Sequence, residues 1–285
     1  MSRYLERALS GETATSQEWN DHLIAFHREY SGVTEDLLLQ METPGGETSY
    51  DVLASRIKAL APGAKAVLDI GCGNGVLLAR IAERFGREIA LTGIDLSEPD
   101  IARARKRLPG ATFLCGDALA LGMNQKSEDV VTSHLAFMAM PSLGAVLERA
   151  RNALRDSGLL AFVAEDPLAG GTIFELLGSA VAAVRDRFPA FTPSIPGREP
   201  IERADVLQPL LARAGFSRVS IEPFAVRARL SGEQIWHFVE RSYPFGLLDA
   251  TARDDLRETL GARIGAIEHG PEGAMLALRF VSAHA

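Results

Sequence analysis

The chain has 285 residues, 47% hydrophobic and 24% charged, the balance of a globular protein with room for one large α/β domain. Its formal charge of -7 and the lack of a basic run argue against a nucleic-acid partner. No apolar run approaches the roughly 20 residues of a membrane helix, Met1–Arg7 lacks signal-peptide features, and Cys72 and Cys115 alone predict no disulfide framework or zinc cluster. A cytoplasmic location is the expectation.

Residues 14–30 read as a helix capped by Thr15 or Ser16, with Trp19, His22, Phe26 and Tyr30 on one stripe at spacings of three and four. Pro44-Gly45-Gly46 marks a loop, and residues 50–60 a second helix stopped by Pro62-Gly63. A β/α alternation follows. Strands are predicted at 67–70, 89–94, 112–115, 129–133 and 159–164, with helices at 76–85, 99–107 and 142–155. Strands alternating with helices imply a mostly parallel sheet covered on both faces. Residues 166–202 interrupt this rhythm with Gly170-Gly171, a helical stretch at 172–187 and, after it, Pro189, Pro193, Pro196 and Pro200. A helix at 203–214, a strand at 218–222, helices at 231–242 and 250–268 and a last strand at 274–281 complete the chain.

The informative segment is Val67-Leu68-Asp69-Ile70-Gly71-Cys72-Gly73-Asn74-Gly75. A strand entering a glycine turn lets backbone approach a nucleotide where a Cβ would obstruct it. The third glycine comes at Gly75, one residue too early for the dinucleotide fingerprint, and no phosphate loop of the G-x-x-x-x-G-K type is present. Asp95, with Leu96 beside it, closes the second strand 24 residues after Gly71, where a carboxylate can accept hydrogen bonds from both ribose hydroxyls.

The D-x-G-x-G-x-G turn, Ile94-Asp95-Leu96-Ser97, Cys115-Gly116-Asp117-Ala118 and Asp129-Val130-Val131-Thr132-Ser133-His134 together resemble the ordered motifs of the class I S-adenosylmethionine (SAM)-dependent methyltransferases. The resemblance implies a Rossmann-like seven-stranded sheet with helices on both faces and a helical cap. Residues 50–165 would hold the cofactor core. The cap would come from residues 1–49 and 166–202 and from a helical insertion at about 224–273 within the closing part, 203–285. By the same resemblance SAM is the cofactor. Asp69 would help hold its methionine ammonium, Gly71, Gly73 and Gly75 the close turn, and Tyr50 and Ser133 would lie near its methionine end. Asp117 and the Ala118 amide would meet the adenine. Homodimers are common in the fold.

The sequence lacks an Asn/Asp-Pro-Pro-Tyr motif and a nucleophilic Pro-Cys pair, which favours methyl transfer to O, N or C of a small, partly apolar metabolite. His134 is the candidate base, its ordinary pKa near 6.5 suiting proton abstraction. Glu165 and Asp166 follow the fifth strand at the same sheet edge. Trp19, Tyr30, Trp236 and Tyr243 are candidate substrate contacts. A non-methyl-transfer reaction such as cyclisation on the same fold, and a non-catalytic SAM-binding protein, remain alternatives.

Overall fold

The computed structural model describes residues 2–86, 88–120, 126–246 and 248–285. The chain opens with α1 (Arg3–Ser10), α2 (Ser16–Glu29), α3 (Val33–Leu38) and α4 (Ser49–Leu60). Then come β1 (Ala66–Ile70), α5 (Val76–Phe85), β2 (Ala90–Asp95), α6 (Glu98–Arg107), β3 (Thr112–Cys115), β4 (Glu128–His134), α7 (Leu143–Ala153) and β5 (Leu154–Glu165). The closing elements are α8 (Thr172–Arg187), α9 (Ala204–Arg213), β6 (Ser217–Ala228), α10 (Gly232–Glu240), α11 (Ala250–His269) and β7 (Ala274–His284). Among the described residues no helix is long and apolar enough to cross a membrane.

The seven strands form one sheet in the order β3-β2-β1-β4-β5-β7-β6. Strands β1 to β5 pair in parallel, and β7 runs antiparallel between β5 and β6. Strand order reverses between β1 and β4, the place where an open α/β sheet leaves a crevice beyond its strand ends. Two apolar clusters sandwich the sheet. On one side Leu68, Ile94, Val131 and Phe162 meet α7 and α9. The larger side joins α4 and α5 to α1, α2, α8, α10 and α11, so the added helices share a core with the sheet.

Local chemistry explains the main boundaries. Thr15 with Glu18 and Thr48 with Asp51 form reciprocal capping boxes that start α2 and α4. Strand β6 continues to Ala228, well beyond the predicted end at 222 and into the segment expected to be helical. Residues 223–228 pair with 279–274 of β7, and Pro223 is tolerated because β6 is an edge strand. Helices α1 and α3 were not expected. Each is eight residues or fewer, too short to establish a periodicity.

Candidate functional site

The glycine turn is fixed by β2. The amide of Gly71 donates to Ile94 O at 2.8 Å, and the amide of Gly73 donates to Asp95 Oδ2 at 2.8 Å. Asp95 Oδ1 accepts the Ser97 amide at 2.9 Å, so one carboxylate ties the turn after β1 to the end of β2. Gly71 and Gly73 hold φ of 74° and 50°, a region that side chains rarely adopt. A Cβ on Gly71 would overlap Ala136, and one on Gly73 would overlap the Glu35 carboxylate. Gly75, at φ 81°, caps α5, faces Ala104 and Phe113, and does not line the cavity.

That cavity opens at the β1/β4 switch point and spans about 1230 Å³, mouth included. Tyr50, Asp69, Gly71 and Gly73 form one end of its wall, and Asp95, Leu96, Asp117 and Ala118 another. Asp117 accepts the Leu119 amide at 2.7 Å and the Asn20 side-chain amide at 3.2 Å. Asp69 is 1% exposed and its Oδ1 has no hydrogen-bond partner, so burial pushes its carboxyl well above the usual range, with Asp95 adding to the shift. A buried carboxylate oxygen without a donor is costly unless a ligand supplies one. The glycine cradle and this orphaned oxygen fit the amino-acid end of SAM.

His134 lines the cavity, but its environment contradicts a base near 6.5. Its Nε2 is 2.9 Å from Ser49 Oγ, its ring stacks on Tyr50, and Nδ1 is buried without a partner. Burial lowers its pKa to about 3, so the imidazole stays neutral and binds protons poorly. Ser133 points the other way, as strand alternation demands; its Oγ has no partner, and it is not part of the cavity wall. Glu165, at the end of β5, is half-buried and pushed up to about 7 by burial; Glu202 adds to the rise and Arg198 opposes it. It lies outside the cavity wall, yet near enough to raise the Tyr243 pKa. Asp166 is committed to a buried ion pair with Arg279.

Of the four expected substrate contacts, only Tyr243 reaches the cavity. His27 Nε2 is 3.3 Å from its hydroxyl, and Phe26 and Trp19 pack edge-on against its ring. Trp19 is core: its Nε1 donates to Ala139 O at 2.7 Å and its ring packs on Tyr4. The Tyr30 hydroxyl donates to Gly246 O, and Trp236 lies under Arg257, 3% exposed. The aromatic stripe of α2 thus faces its neighbours, while Ser16, Asn20, Leu23 and His27, about one residue further round, face the cavity. That polar face, Glu35 of α3 and Asp100 of α6 also line the site. Spacings of four, three and four in α2 were the available signal for the first group, whereas α3 offered none.

His22 helps hold this arrangement. Its Nε2 lies 2.8 Å from the Tyr243 carbonyl, which can only accept, so Nε2 donates and Nδ1 accepts from the Ser2 hydroxyl at 2.6 Å.

The strand order and the glycine turn are those of the class I methyltransferase fold. Residues 67–158 match the model of a methyltransferase domain family. The chain is 31% identical to a trans-aconitate 2-methyltransferase of Variovorax paradoxus, over 67% of this chain and 66% of that protein. It is 33% identical to a malonyl-(acyl-carrier protein) O-methyltransferase of Geobacter sulfurreducens, over 54% and 57% of the two chains. The matched region covers less than two thirds of each relative. Among solved structures, phosphoethanolamine N-methyltransferase 2 of Haemonchus contortus superposes with a TM-score of 0.57 at 17% identity, covering 95% of this chain and 60% of that one. Residues 67–158 thus match a methyltransferase domain in sequence, and the chain as a whole is similar to methyltransferases in fold.

Proposed function

We propose that the protein transfers a methyl group from SAM to O, N or C of a small, partly apolar metabolite. The observation that carries this reading is the orphaned Asp69 Oδ1 above a glycine turn, at one end of a cavity that continues beneath α2 to Tyr243. When bound, SAM supplies an electrophilic methyl group. In this reading Asp95 and Leu96 hold the ribose, Asp117 and Ala118 the adenine, and Asp69 with Tyr50 the methionine end. The chain's own contribution is mainly alignment and exclusion of water, worth several kcal/mol of barrier. Residues 1–49 and 166–202 and helices α10 and α11 act as the cap in this reading. Glu165, with a pKa of about 7, is the proposed proton acceptor where the acceptor group must lose a proton; His134 orients and packs.

A neutral acceptor is favoured over a polycarboxylate. Among the described residues that line the cavity five are carboxylates, Glu35, Asp69, Asp95, Asp100 and Asp117, and none is Lys or Arg. A tricarboxylate such as trans-aconitate would enter that field with no Lys or Arg in the wall to pair with, and with the His27 imidazole already engaged by Asp100. The net charge of -7 supports an enzyme without a nucleic-acid partner, and we place it in the cytoplasm.

The test is incubation of the protein with methyl-tritiated SAM and a metabolite panel rich in neutral hydroxyl and amine acceptors. A labelled product with one S-adenosylhomocysteine (SAH) per turnover supports methyl transfer. Conversion of an acceptor without SAH formation would establish the alternative, a SAM-retaining reaction such as cyclisation.

A further inference from the structure

Glu35 belongs to α3, a helix to which no sequence motif points. Its Oε1 accepts the Asn74 amide at 3.2 Å, inside the glycine turn, and it is the atom that a Cβ on Gly73 would overlap. The carboxylate therefore rests directly on the turn, in the wall of the cavity.

The surrounding charges show what it lacks. Asp95 is satisfied by the amides of Gly73 and Ser97, and Asp117 by Leu119 and Asn20. Asp100 meets His27 at 3.2 Å and accepts from the Ser31 hydroxyl. Glu35 and Asp69 form no ion pair with any described residue, and His27, whose charge reaches Glu35, is engaged by Asp100. Both carboxylates line the same cavity as Tyr50, beside the glycine turn. Burial pushes both upward, the response of acids that lack a countercharge. Two partly or fully buried carboxylates facing one space call for a cation with several donors, and an ammonium has three.

We propose that Glu35 is a cofactor-binding residue that, together with Asp69, takes the α-ammonium of SAM. The proposal rests on the functional reading above. It assigns to α3 the recognition of the amino-acid end of the cofactor, so that nucleosides lacking that end gain nothing from Glu35. With Oε1 anchored on the Asn74 amide, the carboxylate keeps lone pairs for a further donor.

Calorimetric titration of the full chain and of Glu35→Gln with SAH and with 5′-methylthioadenosine tests this. The second ligand keeps the adenosine and the sulfur but has no ammonium or carboxylate. Gln can still accept the Asn74 amide, so the turn is preserved while the charge is removed. The expected result is a loss of about tenfold or more in SAH affinity with less than about a twofold change for 5′-methylthioadenosine. Equal losses for both ligands would overturn the proposal, because Glu35 would then only support the turn. Tighter SAH binding would also overturn it, since Glu35 would then be an obstacle that the cofactor displaces. Wild-type protein that binds neither ligand would overturn the functional reading itself, a result separate from the other two.

Discussion

The ring of His134 lies flat on that of Tyr50, with centroids 3.9 Å apart and planes 23° apart, while Nε2 meets Ser49 Oγ at 2.9 Å. Strand β4 ends against the start of α4 through this contact, and the imidazole is sealed in its neutral form, with a pKa of about 3.

The first consequence concerns stability against pH. A histidine whose folded pKa lies below its unfolded value of about 6.5 favours folding fully above pH 6.5, and that contribution is lost as pH falls toward 3. Each pH unit in that window costs up to about 1.4 kcal/mol. Urea unfolding at pH 6.5 and pH 5 should show wild-type protein losing about 2 kcal/mol more than His134→Gln between the two. Equal losses would mean that His134 is solvated in the folded state.

Glu165 should set the pH profile of turnover instead. Its carboxyl is held at about 7, so a base role predicts kcat rising with pH through about 7 as the proton leaves. In Glu165→Gln that limb disappears and kcat falls about 10²- to 10⁴-fold. An unchanged limb in the variant would assign the base elsewhere.

Charge in the cavity predicts ligand choice. With SAH present, trans-aconitate at millimolar concentration should give no calorimetric signal and no protection against SAM turnover. Saturable binding of that tricarboxylate would contradict the acid-lined wall formed by Glu35, Asp69, Asp95, Asp100 and Asp117.

Trp19 is a structural residue in this account. Trp19→Phe removes the donor to Ala139 O and leaves a buried carbonyl unpaired, at a cost of about 1–3 kcal/mol. Thermal unfolding should register that loss, while KM for the acceptor, measured well below the midpoint temperature, changes less than about twofold. A large KM effect at full stability would return Trp19 to the substrate site.

The sheet is legible because its strands are short apolar runs bounded by turn residues, and the cavity wall beside the glycine turn because Asp69, Gly71, Gly73, Asp95 and Asp117 stand at successive strand ends. The cap is not. Helix α2 is legible in its periodicity, but Trp19 and Tyr30 of its aromatic stripe, expected at the substrate, pack inside the protein, and the residues facing the cavity lie one step round the helix. In a helix covered on both sides, periodicity gives the buried face without saying what buries it. Glu35 escaped because α3 has six residues, and its partner, the Asn74 amide, is a backbone group that no side-chain pattern reveals. The histidine at the end of β4 is legible in the sequence, whereas its lowered pKa is not, because burial by Tyr50 and Ser49 is a tertiary property.

The proposed function requires SAM to bind across the glycine turn and the end of β2, held by Asp95. Calorimetric titration of wild-type protein and Asp95→Ala with SAH tests it most directly. Micromolar binding to the wild type is expected, with a loss of about 100-fold or more in the variant, which forfeits both the ribose contact and the anchor on the Gly73 and Ser97 amides. Equal affinity in the two proteins, or no binding to a folded wild type, would contradict it.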